Sequence, residues 1–269
     1  MELETTGERV IEDSYRSSPE RYLIYLFHRI TYAFARDYIK GKTVLDYGCG
    51  SGYGSHFLAP DCEAITAVDI SNDAIAYAQS RYQAENLRYQ SIAPAEQAPL
   101  PFANASFDSV ISFQVIEHIP DTTAYLSEIK RVLKPGGVFI CATPDRSTRL
   151  LPGQKPWNVW HVKEYGRAGF QQLLGSQFKS VQVYGMGGKP DVLNIELRRA
   201  RRTMWLSLPF TLPFMPEALR VKCLQFLKRL TNKTDDSNKK VHNFDFSEAD
   251  LFIAADAKPS TNLVAVAHN

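Results

Sequence analysis

Two carboxylates that each end a short apolar run carry the clearest chemistry in this chain. Val44-Leu45-Asp46 runs into Tyr47-Gly48-Cys49-Gly50-Ser51-Gly52-Tyr53-Gly54, and Ile65-Thr66-Ala67-Val68 ends in Asp69. Closely spaced glycines after a strand let backbone N–H groups approach a ligand, so Gly48, Gly50 and Gly52 ask for a nucleotide-like cofactor rather than a metal. An acid ending the following strand can accept hydrogen bonds from both hydroxyls of a ribose, which is the contact expected of Asp69. A nicotinamide cofactor is still compatible with these residues alone. Farther along, Gln114, Glu117 and His118 follow another apolar run, and His161 stands within Trp157-Asn158-Val159-Trp160-His161-Val162-Lys163-Glu164-Tyr165. Neutral imidazoles accept protons near neutrality, so His118 and His161 are candidate general bases. The plainer role for His118 is a hydrogen bond that closes the loop before Pro120, and Trp157, Trp160 and Tyr165 suit either an acceptor wall or core packing.

Alternating helix and strand patterns must position these groups. A helix rich in apolar and aromatic residues is expected over Pro19 to Ile39. It is followed by a strand at Thr43 to Asp46, a helix after Gly52, a strand at Ile65 to Asp69 and a helix at Asn72 to Glu85. Leu87 to Ile92 and Phe107 to Phe113 read as strands, with Pro94, Pro99 and Pro101 marking a loop between them. Thr122 to Leu133 fits an amphipathic helix that exits at Pro135-Gly136-Gly137 into a strand at Val138 to Ala142. Tyr165 to Leu174 follows as a helix, then Phe178 to Tyr184 and finally Leu263 to His268 as strands. This order predicts an α/β fold with a doubly wound, mostly parallel seven-stranded sheet and a helical elaboration before the last strand. The corresponding organisation is a helical cover over 1–40, a cofactor-binding core over 41–189, a lid or membrane-facing elaboration over 190–250, and a return to the core over 251–269.

That elaboration carries Arg198-Arg199-Ala200-Arg201-Arg202, then an apolar stretch from Met204 to Pro216 broken by Pro209, Pro213 and Pro216, then a helix at Glu217 to Leu230. A basic helix packed by its apolar side explains the run. So does contact of its basic groups with anionic head groups while Trp205, Leu206, Leu208, Phe210 and Phe214 meet apolar material. The polar stretch Thr231 to Asn243 is expected to be mobile.

The 269 residues, 44% hydrophobic and 22% charged, suit a globular protein with a substantial core, and a net charge of +2 gives no support for a nucleic-acid partner. Cys49, Cys62, Cys141 and Cys223 are widely spaced, which favours isolated reduced thiols over a zinc site or a disulfide framework. Met1-Glu2-Leu3-Glu4 begins no secretory pattern and no apolar run reaches membrane-spanning length, so a cytoplasmic location, with peripheral membrane contact an open alternative, is the working expectation.

Taken together, the motifs resemble those of class I S-adenosylmethionine-dependent methyltransferases, especially the group that includes quinone-biosynthesis and small-molecule enzymes. The resemblance rests on Val44 to Gly54, Ala67-Val68-Asp69-Ile70-Ser71, Leu100-Pro101-Phe102, Ser106-Phe107-Asp108 and Arg131-Val132-Leu133-Lys134-Pro135-Gly136-Gly137, in that order. It covers about Tyr22 to Tyr184, with Leu263 to His268 similar to the family's terminal strand. It implies S-adenosyl-L-methionine as cofactor, with Gly48, Gly50 and Gly52 shaping its loop, Asp46 orienting its aminoacyl end, Asp69 on the ribose and Ile70 beside the adenine. Many relatives carry an acid near the adenine amino group where this chain reads Ser91-Ile92-Ala93-Pro94-Ala95-Glu96-Gln97, so the backbone of Ala95 and the side chain of Glu96 or Gln97 are candidates there. Tyr22 is a candidate cover for the cofactor, and Gln114 lies at its edge.

Methyl transfer is a displacement at the sulfonium methyl, which requires alignment of the nucleophile and removal of its proton. The expected reaction is methylation of an oxygen on a small or lipid-linked metabolite. N- or C-methylation and a noncatalytic cofactor-binding regulatory module are the alternatives. No third ligand for the two histidines is specified by spacing and the sulfonium methyl is already activated, so no metal is expected.

Overall fold

Adjacent side chains of the first strand, β1 (Thr43–Tyr47), point into two different layers, which sets the architecture. Val44 packs on one face with Tyr32, Ala35 and Ile39 of the N-terminal helix α1 (Pro19–Ile39), whereas Leu45 packs on the other with Tyr125, Leu126 and Ile129 of helix α4 (Thr122–Val132). The computed structural model describes residues 12–232 and 243–269. The expectations for Met1 to Glu4 and for most of the polar stretch between Thr231 and Asn243 fall outside those residues.

The remaining strands are β2 (Ala64–Asp69), β3 (Leu87–Ser91), β4 (Phe107–Phe113), β5 (Leu133–Pro144), β6 (Ser180–Gly188), β7 (Leu251–Ala254) and β8 (Asn262–His268). They form one sheet in the order β3-β2-β1-β4-β5-β8-β6-β7. Strands β1 to β5 pair in parallel, while β8 runs antiparallel between β5 and β6. The doubly wound sheet read from the sequence is therefore present, and β7 adds an eighth strand at the edge, antiparallel to β6. Four residues of mixed exposure gave β7 too little periodicity to be read, and its partner Gly185–Gly188 is glycine-rich.

Helices α2 (Tyr53–Leu58) and α3 (Asn72–Arg81) flank the first strands, and α6 (Arg167–Gly175) covers the α4 face. Local capping explains several boundaries. Ser18 Oγ accepts from the Arg21 amide with Pro19 at the first turn, and Asp121 accepts from the amides of Thr123 and Ala124. The Pro135-Gly136-Gly137 exit is absorbed into β5: Leu133 already pairs with Phe107, and the register shifts before Val138 pairs with Ser109.

The elaboration forms helix α7 (Pro190–Ser207) and helix α8 (Glu217–Asn232). Helix α7 packs on α1 and on the short helix α5 (Arg146–Arg149), with Val192 and Leu193 buried among Leu23, Leu26, Phe27 and Leu251. Its basic run divides between two environments: Arg199 turns inward to Glu196, whereas Arg198, Arg201 and Arg202 are exposed. All four cysteines are free thiols.

Candidate functional site

Strand order reverses between β1 and β4, and a ligand crevice in such a sheet lies beyond the carboxyl ends of those strands. On the β1 side, the Gly48 and Cys49 amides both donate to the Val68 carbonyl, at 2.8 and 3.0 Å, and fold the loop toward β2. Asp69 is held by two backbone donors: the Gly50 amide reaches Oδ2 and the Ser71 amide reaches Oδ1, each at 2.9 Å. Each carboxylate oxygen keeps a further lone pair for a ribose hydroxyl. Gly52 adopts φ +81, and a Cβ there would come within 2.6 Å of the Ala78 methyl, so the turn admits no side chain.

Asp46 is buried beneath this loop and accepts from Ser55 Oγ at 2.6 Å and from the Tyr32 hydroxyl at 3.5 Å. Burial pushes its carboxyl up to about 7, hydrogen bonds from Ser55 and Tyr32 oppose that rise, and the charge of Asp69 adds to it. A cationic ligand group would favour the ionised form. Tyr32 reaches Asp46 by lying against the backbone of Gly54, where any Cβ would collide with its ring. Neither Tyr32 nor Ser55 was marked by the sequence, because their relation to Asp46 spans two helices and a strand.

Ile70 projects from the end of β2 and is 60% exposed, a position that suits contact with a flat heterocycle. Ala95 is half-buried in a turn closed by the Gln97 amide on the Pro94 carbonyl, and Glu96 is exposed. Glu96 nevertheless stands near the end of β1: burial first, then the charges of Glu96 and Glu128, push Tyr47 up to about 12. Tyr22 packs against Phe244 and Phe246 and is linked through Tyr25 to Tyr53 at the start of α2. Gln114, just past β4, adopts a left-handed backbone with φ +58, its amide donating to the Ala142 carbonyl and its side chain to Asn262 Oδ1.

The β4 side of the crevice gathers residues that are distant in sequence. Glu117, His118 and His161 each offer a donor atom within 4.8 Å of the others. Glu117 is fully buried, and its Oε2 accepts from Thr143 Oγ1 at 3.0 Å. Burial raises its carboxyl above the ordinary range, against the opposing pull of His161 and His118. His118 Nδ1 donates to the Trp160 carbonyl at 2.9 Å, and the two imidazoles meet edge to face with centroids 4.8 Å apart. The His118 side chain therefore ties the turn after β4 to the Trp160 loop rather than closing the segment before Pro120 on itself. His161 Nδ1 donates to Glu164 Oε1 at 2.8 Å.

Glu164 is clamped in turn by Arg149, whose Nε and Nη2 donate at 2.9 and 3.1 Å. Burial would raise the Glu164 carboxyl, but the Arg149 charge and the bonds from His161 and Arg149 carry it down to about 2. Arg149 also lies over the Trp157 ring at 4.1 Å, and Trp157 faces Arg199 on its way to Glu196. Trp157 thus serves this charged network, Tyr165 is buried with Phe170, and Trp160 is 55% exposed.

The later sequence signatures have scaffold contacts. Arg131 donates to the carbonyls of Leu100 and Phe102 and to Glu128, which ties Leu100-Pro101-Phe102 to α4. Asp108 accepts from the Thr43 amide and Lys134 Nζ, joining β4 to β1 and β5.

A family model described as a methyltransferase domain matches residues 45–141. A probable S-adenosylmethionine-dependent methyltransferase of Mycolicibacterium smegmatis is 36% identical over 64% of this chain and 63% of its own length. This chain thus spans less than two thirds of that relative. A protein of Mycobacterium ulcerans named as a probable phthiotriol/phenolphthiotriol dimycocerosates methyltransferase is 32% identical over 75% of this chain and 76% of its own. A ubiquinone biosynthesis O-methyltransferase of Paramagnetospirillum magneticum is 38% identical over 41% of this chain and 43% of its own. The chain belongs to the class I S-adenosylmethionine-dependent methyltransferases, and S-adenosylmethionine is its cofactor. Among the described residues, no helix is long and apolar enough to cross a membrane.

Proposed function

We propose that this protein transfers the methyl group of S-adenosylmethionine to an oxygen of a small or lipid-linked metabolite. The observation that carries this reading is the convergence of Glu117, His118 and His161 beside the crevice, where a hydroxyl of the acceptor would need activation. Nδ1 of each imidazole is committed as a donor, to Trp160 or to Glu164, so Nε2 is the nitrogen that carries the lone pair. The acceptor oxygen forms a bond to the methyl carbon as the carbon–sulfur bond breaks. The electron pair stays on sulfur to give S-adenosylhomocysteine, and the hydroxyl proton leaves through this cluster. Asp46, Gly48, Gly50, Gly52, Asp69, Ile70, Ala95 and Glu96 form the cofactor side in this proposal, with Gln114 at the boundary and Tyr22 in the covering aromatic group.

The names of the M. ulcerans and P. magneticum relatives support lipid and quinone acceptors as the first classes to test. An exposed surface on the elaboration supports the lipid-linked choice and peripheral contact with an anionic membrane: Trp205 and Phe214 are 56% and 78% exposed near Arg198, Arg201 and Arg202. Incubation with methyl-labelled S-adenosylmethionine and separate lipid and water-soluble extracts, followed by mass spectrometry, tests the reaction. A labelled ether or ester is expected; label only on nitrogen or carbon would replace the O-methylation reading, and absence of any product with bound cofactor would favour a regulatory module.

A further inference from the structure

We propose that Glu117, His118 and His161 form a binding site for a divalent first-row transition-metal cation at the acceptor end of the crevice. The sequence supplied two imidazoles without a third ligand; the fold supplies the carboxylate. The turn after β4 presents Glu117 and His118, and the loop between α5 and α6 returns His161 to them, so that three donor atoms lie within 4.8 Å of one another. Ligand atoms on one such ion, bound at about 2.1 Å in tetrahedral geometry, are about 3.4 Å apart, so the cluster needs to close by at most about 1.4 Å.

Three further observations favour a cation over a purely structural cluster. Glu117 Oε1 is buried and has no hydrogen-bond partner among the described residues, although Oε2 is satisfied by Thr143. A buried carboxylate oxygen left in this state is costly, and a cation would satisfy it. Both imidazoles have Nδ1 fixed by an acceptor, which holds each ring in orientation. Finally, the His161–Glu164–Arg149 chain has the carboxylate–histidine form that supports metal ligands: Glu164 orients the ring, and Arg149 holds Glu164 in place with two hydrogen bonds. Arg149 is engaged with Glu164, so it is not placed to neutralise Glu117 directly.

Two nitrogens and one carboxylate oxygen suit Zn2+, Co2+ or Mn2+ better than Mg2+ or Ca2+, which favour all-oxygen ligation. Three protein ligands also leave coordination positions for oxygens from outside. The cation's role rests on the O-methylation proposed above, but its binding does not. In that role the acceptor's hydroxyl oxygen ligates the cation and loses its proton to water, and the resulting oxyanion attacks the methyl carbon. The imidazoles then act as ligands rather than as bases.

The untagged full chain, stripped with a chelator, is titrated with Co2+ and followed by visible absorption and calorimetry. One Co2+ per chain is expected, with absorption bands of nitrogen ligation and displacement by Zn2+. Glu117→Gln and His161→Ala should each weaken binding at least about 10-fold, and Glu164→Gln, which touches the ring and not the ion, about 10-fold or more. His118→Gln, in a half-buried surface turn, provides a milder variant, and retained S-adenosylhomocysteine binding in each variant checks the fold. Absence of stoichiometric Co2+ binding, or equal affinity in folded wild type, His118→Gln and His161→Ala, overturns the site. With binding established, methyl transfer that is indifferent to chelator overturns the catalytic role. Co2+ binding without O-methylation of any acceptor counts against the reaction and supports the site.

Discussion

Backbone amides hold the β1–β2 side of the crevice, whereas charged side chains hold the β4 side. Asp69 is fixed by amides from Gly50 and Ser71, and the loop above it by the Val68 carbonyl, all within about one strand-helix-strand unit. Across the crevice, His161 depends on Glu164, Glu164 on Arg149, and Trp157 on both Arg149 and Arg199, a chain that draws on α5, α7 and the loop before α6. The first arrangement is insensitive to surface residue identity but intolerant of added side chains. The second fails when one charge loses its partner.

The largest effect should therefore come from the charged side. Arg149→Met leaves Glu164 buried without its main counterion and is expected to lower stability by about 3–5 kcal/mol, read from urea unfolding. A loss below about 1 kcal/mol would show that the network is dispensable and erase the contrast. On the backbone side, Asp69→Ala removes the acceptor of two amides and, in the role proposed for it, both ribose contacts. About 100-fold weaker S-adenosylhomocysteine binding is expected by calorimetry, with less destabilisation than in Arg149→Met; affinity within about threefold of wild type would remove Asp69 from the ribose role.

Asp46 sharpens the comparison through pH. Because burial raises its folded carboxyl to about 7 from an unfolded value near 3.8, its protonated form stabilises the protein below about pH 4. That contribution is lost as pH rises through about 7. With Asp46 beside the cationic aminoacyl end, as proposed above, cofactor binding runs the other way, since that charge favours the ionised carboxylate, so affinity should rise from pH 6 to 8 while the stability of the cofactor-free protein falls. Asp46→Asn should flatten both profiles, as measured by calorimetry and thermal unfolding; parallel slopes in wild type and variant would assign the titration elsewhere. The smallest effect is expected at the outer surface. The double change Trp205→Ser and Phe214→Ser should shift stability by about 0.5 kcal/mol or less while reducing retention on anionic vesicles at low salt several-fold. Unchanged retention would leave that surface without a membrane role.

The β1–β2 side of the crevice was legible because its signals are local. Glycine spacing, two strand-end acids and the strands around them lie within residues 43–71, and β1, β2 and β4 form close to where the pattern placed them. The scaffold motifs were legible as a series but not in their purpose: only the structure shows Arg131 gripping Leu100 and Phe102, and Asp108 bridging β1 and β5. On the β4 side, His118 and His161 could be marked by residue type. Their pairing with each other, with buried Glu117 and with the Glu164–Arg149 clamp could not, because those contacts join segments up to 44 residues apart that have no shared periodicity.

By itself, the sequence determined the alternating strand and helix order, the glycine loop and the two acids near the carboxyl ends of β1 and β2, because each follows from hydrophobic period and backbone freedom over a few residues. Only tertiary structure decided that Tyr32 and Ser55 would bind Asp46, that β7 would extend the sheet, and that a carboxylate would join two histidines. Those arrangements arise when packing brings distant segments together and excludes water, so that each buried polar atom must find its partner in the fold.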